Sequence, residues 1–387
     1  MEKKYFYFQP QYVNRFKCDG SKCDAHCCRE EWNIFIDKDT YKQYEQLGSR
    51  EILPQIKFHD DKDAYFIEFG GKKYCPFLNK NKLCSLQLKH GENFLSKTCA
   101  TYPRITSHFG YFLERSLILS CPVAAEIIFF EREPMKFELT EVPEKIHSPG
   151  GKIFYQSIRS TDELKAHLIE IQVAMISILQ ERTLTIDQRL IVLGFFVDRL
   201  EEIFSDFDAD ALTKLIAAYE SKKFLAEQVP LMIQSIEFDA EKFIGFMRDL
   251  SEKVFDEKNF AKHKKFLGAV VDAAFRVSDK KIFVAAHSSF FENFLVNELF
   301  LSTFPWKFDG SFSQNFAAFA VENKLFELIT FSMLLRGFTG KKDLIESATW
   351  FTTRFDHTQE YKDKIFSLIK DMDDPFSLMD SLLEGGD

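Results

Sequence analysis

The pattern of apolar and polar positions divides the chain into two parts. The first ~140 residues carry short apolar runs broken by turn residues, which predicts mixed α and β structure. A short apolar segment, Trp32 to Ile36, precedes Asp37. That residue is placed to cap a helix through Thr40, Tyr41 and Tyr44, with Gly48 as its stop. Ala64 to Phe69 predicts a strand, turning at Gly70-Gly71 into Lys72 to Cys75. A second turn, Asn79 to Lys82, joins Cys75-Pro76-Phe77-Leu78 to Leu83-Cys84. Alternation from Ile105 to Leu119 around Gly110 predicts a hairpin, and Ser120 is placed to cap a short helix from Pro122 to Phe130. Met135 to Val142 reads as a strand. Pro143, Pro149 and Gly150-Gly151 then mark a linker.

Beyond the linker the period becomes helical. Thr161-Asp162-Glu163 opens a long helix with Leu164, Leu168, Ile171, Met175 and Ile178 on one face. Further helical periods fall at about 186–204, 209–221, 240–255, 259–277, 289–303, 312–337, 341–354 and 359–372. No repeat of fixed period suggests a solenoid. The fold class expected is mainly α: an N-terminal α+β cysteine-rich metal-binding domain, residues 1–150, followed by a large α-helical domain, residues 151–387. The 44 Phe residues supply its core.

Composition narrows the function classes. A net charge of −9 argues against general nucleic-acid binding, which needs a basic field. No stretch approaches the ~18 apolar residues of a membrane span, and the start lacks the apolar region of a secretory signal. The expectation is a cytoplasmic protein without membrane or nucleic-acid partners.

All eight cysteines lie within the first 121 of 387 residues. Random placement gives that crowding roughly once in ten thousand chains, so it needs a cause. The first group is Cys18-x4-Cys23-x3-Cys27-Cys28, followed by Cys75, Cys84, Cys99 and Cys121. In a reducing compartment, clustered thiols point to metal or redox chemistry more than to disulfides. Thiolates hold zinc and iron–sulfur clusters alike. The spacing is neither the paired knuckles of zinc ribbons nor the bacterial ferredoxin run. It also lacks the C-x3-C-x2-C triplet usual for radical S-adenosylmethionine clusters. Packed free thiols and disulfides remain alternatives at this point. Cys121, in Ser-Cys-Pro at a helix start, reads equally as a packed cap, and His26 is a further candidate ligand.

Several of these motifs resemble the bacterial flagellin lysine N-methylases. They include Phe16-Lys17-Cys18, Cys23, Cys27-Cys28, Trp32-Asn33-Ile34, Ile36-Asp37, Cys75-Pro76-Phe77-Leu78, Cys84-Ser85-Leu86-Gln87 and Thr98-Cys99 with Tyr102-Pro103-Arg104. Glu114-Arg115-Ser116, Leu119-Ser120-Cys121-Pro122 and, later, Glu292 to Glu298 extend the match. The cysteine part is also similar to a wider group of bacterial zinc- or iron-chelating proteins. The resemblance implies methyl transfer from S-adenosylmethionine to lysines of flagellin, and a 4Fe–4S cluster held among Cys18, Cys23, Cys27, Cys28, Cys75, Cys84, Cys99 and Cys121, with zinc as the alternative metal. No glycine-rich strand–loop–helix of the nucleotide-cradling kind is present.

Lysine methylation needs a neutral amine, so a desolvating site or a base is expected. Glu92, Tyr102, Glu114 and Asp37 are the candidates for that base. Arg104 and Arg115 are candidates for binding the cofactor carboxylate. The competing reading is a non-catalytic zinc-binding module joined to a helical protein-interaction domain. A metal-handling or redox protein is a third.

Overall fold

A computed structural model describes residues 6–20, 23, 26–29, 34–109, 112–141, 162–254, 273, 276–337, 340–355 and 359–385. The N-terminal part contains β1 (Phe6–Pro10), α1 (Tyr12–Arg15), β2 (Phe35–Ile36), α2 (Lys38–Leu47), β3 (Ile56–His59) and β4 (Ala64–Ile67). It continues with α3 (Ser85–His90), α4 (Lys97–Thr101), β5 (Arg104–His108), β6 (Phe112–Leu117), α5 (Pro122–Phe129) and β7 (Phe137–Glu141). The helical part contains α6 (Asp162–Leu179), α7 (Ile186–Ser205), α8 (Ala209–Glu220), α9 (Lys222–Gln234), α10 (Ala240–Val254) and α11 (Val277–Ala286). After it come α12 (Ser288–Leu301), α13 (Phe312–Leu334), α14 (Lys341–Phe355), α15 (Gln359–Lys370) and α16 (Leu378–Leu382). The protein is mainly α, as expected. Among the described residues no helix is long and apolar enough to cross a membrane.

Local chemistry explains most element ends. Asp37 caps α2 by accepting from the Thr40 amide at 3.1 Å, and Gly48 ends that helix at φ +60°, a conformation glycine adopts without Cβ strain. The N-cap of α5 is Cys121 and not Ser120. Ser120 instead hydrogen-bonds the Tyr102 hydroxyl at 3.0 Å. The sequence pattern left β1, α1, β3, α3, α4, α9, α11 and α16 unmarked. The linker after Glu141, Trp32-Asn33 and nearly all of the helical period at 259–277 lie outside the described residues.

The main sheet has the order β5-β6-β1-β7, with β1 parallel to β6 and antiparallel to β7. A smaller antiparallel sheet has the order β2-β4-β3. The two sheets serve different cores. The main sheet lies on α12, where Phe8 meets Phe300 at 5.4 Å between ring centres and Phe137 meets it at 5.2 Å. Its core is therefore continuous with that of the helical body. The smaller sheet builds a separate core from Ile34, Ile36, Tyr44, Ile67, Phe69 and Phe77.

Helix α13 runs through the middle of the helical body, and every residue from Asn315 to Ser332 is buried. Such a helix has no polar stripe, so its charged residues must find partners inside. Lys324 pairs with Asp187 and, at 3.1 Å, with Glu327. Lys280 of α11 stands 3.2 Å from both Glu327 and Glu384. Glu292 of α12 receives Arg189 at 2.8 Å and Arg182 at 2.7 Å. Gly194 lets α7 approach this centre closely, since a Cβ there would come within 2.8 Å of Phe316 and 2.6 Å of Met379.

Candidate functional site: a thiol-lined cavity at the seam of two cores

Seven cysteines line one cavity of about 100 Å³: Cys18, Cys23, Cys27, Cys28, Cys84, Cys99 and Cys121. That space exceeds several-fold what a single water requires. Its apolar wall draws on both cores, with Phe16, Tyr102 and Val123 from the larger and Ile34 and Leu95 from the smaller. The cavity thus sits at the seam where the two cores meet, a usual place for a ligand site.

Short elements deliver the thiols. Cys27 and Cys28 lie in a single 3-10 turn with their sulfurs 3.8 Å apart. Cys84 is the N-cap of α3, Cys121 the N-cap of α5, and Cys99 lies in the first turn of α4. Three helix starts therefore present thiols to the cavity. Asp37 fixes one of them, because it also accepts the Lys97 amide at 2.9 Å and so ties α4 to α2. Burial pushes its carboxyl up, but the amide and hydroxyl bonds of Lys97 and Thr40 outweigh that and hold it below the ordinary value. Cys75 is buried in the smaller core and lies outside the cavity wall; its amide donates to the Cys28 carbonyl at 2.7 Å.

The thiols are electrostatically one unit. Burial raises Cys18 to about 11, and the negative charge of Cys27 and Cys23 adds to it. Burial raises Cys75, Cys99 and Cys121 to about 12, and Cys27 contributes to each. The Val123 and Ala124 amides pull Cys121 partly back. Cys27, itself raised by its bond to Cys28 and by burial, is the common neighbour. Five of the eight free thiols, Cys18, Cys27, Cys75, Cys99 and Cys121, thus resist ionisation.

Of the other candidates, Tyr102 alone lines the cavity. Burial raises its hydroxyl well above the ordinary value, so it is a hydrogen-bond donor and not a base. Arg104 donates to the Phe16 carbonyl at 3.1 Å and stacks 5.0 Å from that ring, beside the cavity rim. Arg115 stacks 4.8 Å from Tyr7. Glu92 is exposed and accepts from Gln87 at 3.4 Å. Glu114 is buried opposite Phe8 and Ser107 in the main sheet, and neither carboxyl oxygen has a hydrogen-bond partner among the described residues. Burial holds it protonated well above the ordinary carboxyl range. The His26 side chain lies outside the described residues.

Sequence reasoning missed the apolar wall and an adjoining groove. Cys23, Pro122 and Val123 line both the thiol cavity and a wider space of about 790 Å³ between α5 and α14. Trp350 and Arg354, spaced one helical turn apart on α14, were the available signal for it.

Among the described residues no three His, Cys, Asp or Glu side chains are gathered closely enough for one metal ion. The thiols ring a space and do not meet at a point.

No solved structure matches the chain. It is 31% identical over 136 residues to a lysine-N-methylase of Salmonella typhimurium, covering 33% of each chain. It is 30% identical over 136 residues to the flagellar biosynthetic protein FliU of Salmonella muenchen, covering 33% of this chain and 79% of that one. The match thus spans about a third of the length of the Salmonella typhimurium relative. Residues 172–383 match the family described as the FliB lysine N-methylase C-terminal domain, and the chain belongs to that family.

Proposed function

We propose that this chain is a cytoplasmic protein-lysine N-methyltransferase acting on flagellin. In this reading S-adenosylmethionine supplies the methyl group, and the seam cysteines hold a 4Fe–4S cluster. The observation that carries the reading is the convergence of seven thiols on one cavity, in a chain of this family. A single tetrahedral ion draws its sulfur ligands to about 2.3 Å, whereas a cluster spreads them over several irons. Thiols arranged around a space suit the second case. Three of the seven suffice where one iron is left open, and Cys27 is the first choice for its central place. Held by these cysteines, such a cluster would supply a Lewis-acid seat for the amino and carboxylate groups of the methionine moiety.

The protein's own residues then have three tasks. Phe16, Ile34, Leu95 and Val123 exclude water. Tyr102 offers a hydroxyl donor. The apolar wall disfavours an ammonium, so the lysine reacts as the free amine. The nitrogen lone pair forms the new C–N bond. The sulfonium C–S bond breaks with its electron pair left on sulfur, and the alkylated amine releases a proton to water.

The test is incubation of the full-length, anaerobically reconstituted protein with flagellin and S-adenosylmethionine, read by intact mass. Steps of one methyl group on flagellin, with about four iron and four sulfide per chain, are expected. An unchanged flagellin mass in the presence of an intact cluster would remove the reading. Zinc alone, with no colour, would favour the non-catalytic module.

A further inference from the structure

We propose that the groove between α5 and α14 seats an acidic segment of polypeptide and delivers its lysine to the thiol cavity. This rests on the reading above and adds to it where the substrate lies and which sequences it accepts. The groove and the cavity share Cys23, Pro122 and Val123, so an occupant of the groove lies against the cavity wall. Its charged lining among the described residues is Arg29, Lys341, Lys342 and Arg354 against Glu126 and Glu346. Among those residues four cations face two carboxylates, which makes this a positive place on a chain whose net charge is −9. Lys341 bonds Glu126 at 2.9 Å across the groove, so α14 is fixed to α5. The Arg354 guanidinium lies 4.4 Å from the Trp350 ring, which orients a planar fork suited to carboxylates.

Charge complementarity selects the occupant. S-adenosylmethionine carries a sulfonium, an ammonium and one carboxylate, so it is a net cation and this wall repels it. A lysine flanked by basic residues is repelled in the same way. A lysine flanked by Asp or Glu is attracted through its neighbours, while the groove cations disfavour its own ammonium and favour the nucleophilic free amine.

The test is fluorescence anisotropy with the full-length protein and two labelled peptides, one with a lysine among glutamates and one with it among lysines. The glutamate peptide should bind at least about tenfold more tightly, and added salt should erase the difference. Lys342→Glu with Arg354→Glu should lose about tenfold for that peptide. Because Arg354 also stacks on Trp350, the exposed Lys342→Glu alone is the second variant, expected to lose about threefold. A distant charge reversal, Lys38→Glu, should change nothing. Equal binding of both peptides, or indifference to the groove variants, overturns the proposal. So does a groove variant that weakens S-adenosylmethionine binding, measured calorimetrically, and spares the peptide. Binding needs no turnover. A peptide held in the groove by a protein that never methylates it would refute the enzyme and leave the groove, whereas methylation indifferent to the groove would do the reverse.

Discussion

The buried polar groups of the helical body and those of the seam differ in one respect. Inside the helices several buried charges stand beside their opposites: Arg189 with Glu292, Lys324 with Asp187, Lys280 with Glu327 and Glu384. At the seam the groups are of one kind, thiols that burial, with their neighbours' charge added, keeps protonated. A paired interior charge is complete as it stands, and removing one partner strands the other. A set of like groups around a space has no such partner, and in the proposed reading a metal cluster supplies it. The first arrangement holds the fold, and the second is where we propose the cofactor sits.

Replacing Cys27 by Ser attacks the seam at its centre and has the largest expected effect. Bound iron and methylation should both be lost, while the helical circular dichroism and its thermal midpoint stay near wild type. Full iron retention would show that the hub lies elsewhere.

Glu292→Ala attacks the paired set. It leaves Arg189 buried without its carboxylate and should cost about 3–5 kcal/mol in urea unfolding. A loss below about 1 kcal/mol would mean that Arg189 finds water or a new acceptor, which would weaken the contrast drawn here.

Glu114 tests the sheet between the two regions. Its carboxyl in the folded protein titrates well above the 4.5 of an unfolded chain. The stability it contributes is therefore full below that value and lost as pH rises through the folded-state value. Glu114→Gln removes this titration. The urea midpoint should then fall less between mildly acid and alkaline pH than it does in the wild type. An unchanged slope would show that the carboxyl finds a cation or water on ionising.

The smallest effect is expected on the surface. Lys38→Ala breaks an exposed pair with Asp63, 3.0 Å long, and should move stability by no more than about 0.5 kcal/mol.

Much of this arrangement is legible in the residues because its signals are local. Asp37 and Gly48 bound α2 by capping chemistry that any reader of a sequence can apply. The cysteine crowding announces a site. What is not legible depends on residues distant in the chain. β1, five residues long, has no period of its own to reveal it, and only its pairing with β6 and β7 makes it a strand. Pro230 inside α9 argues against a helix that tertiary packing nevertheless holds. Cys121 reads as a packed cap and proves to be both a cap and a cavity wall, whereas Cys75, in a motif as strong as any, stands behind the wall. Glu114 looks like a base in its motif, and its place in the sheet keeps it from the cavity. Arg29 and Trp350 meet in one groove without any sequence relation between them.

The position of β1 has a consequence for the order of assembly. The earliest described strand lies between β6 and β7, with Phe6 opposite Phe112 on one side and Glu141 on the other. During synthesis it has no partner until those segments emerge, and contacts so distant in sequence form late. Cys18, Cys23, Cys27 and Cys28 follow β1 in the chain and line the seam cavity together with Cys99 and Cys121. In the proposed reading, a metal offered to the nascent chain would meet scattered thiols, and one offered after the sheet has formed would meet a finished vessel.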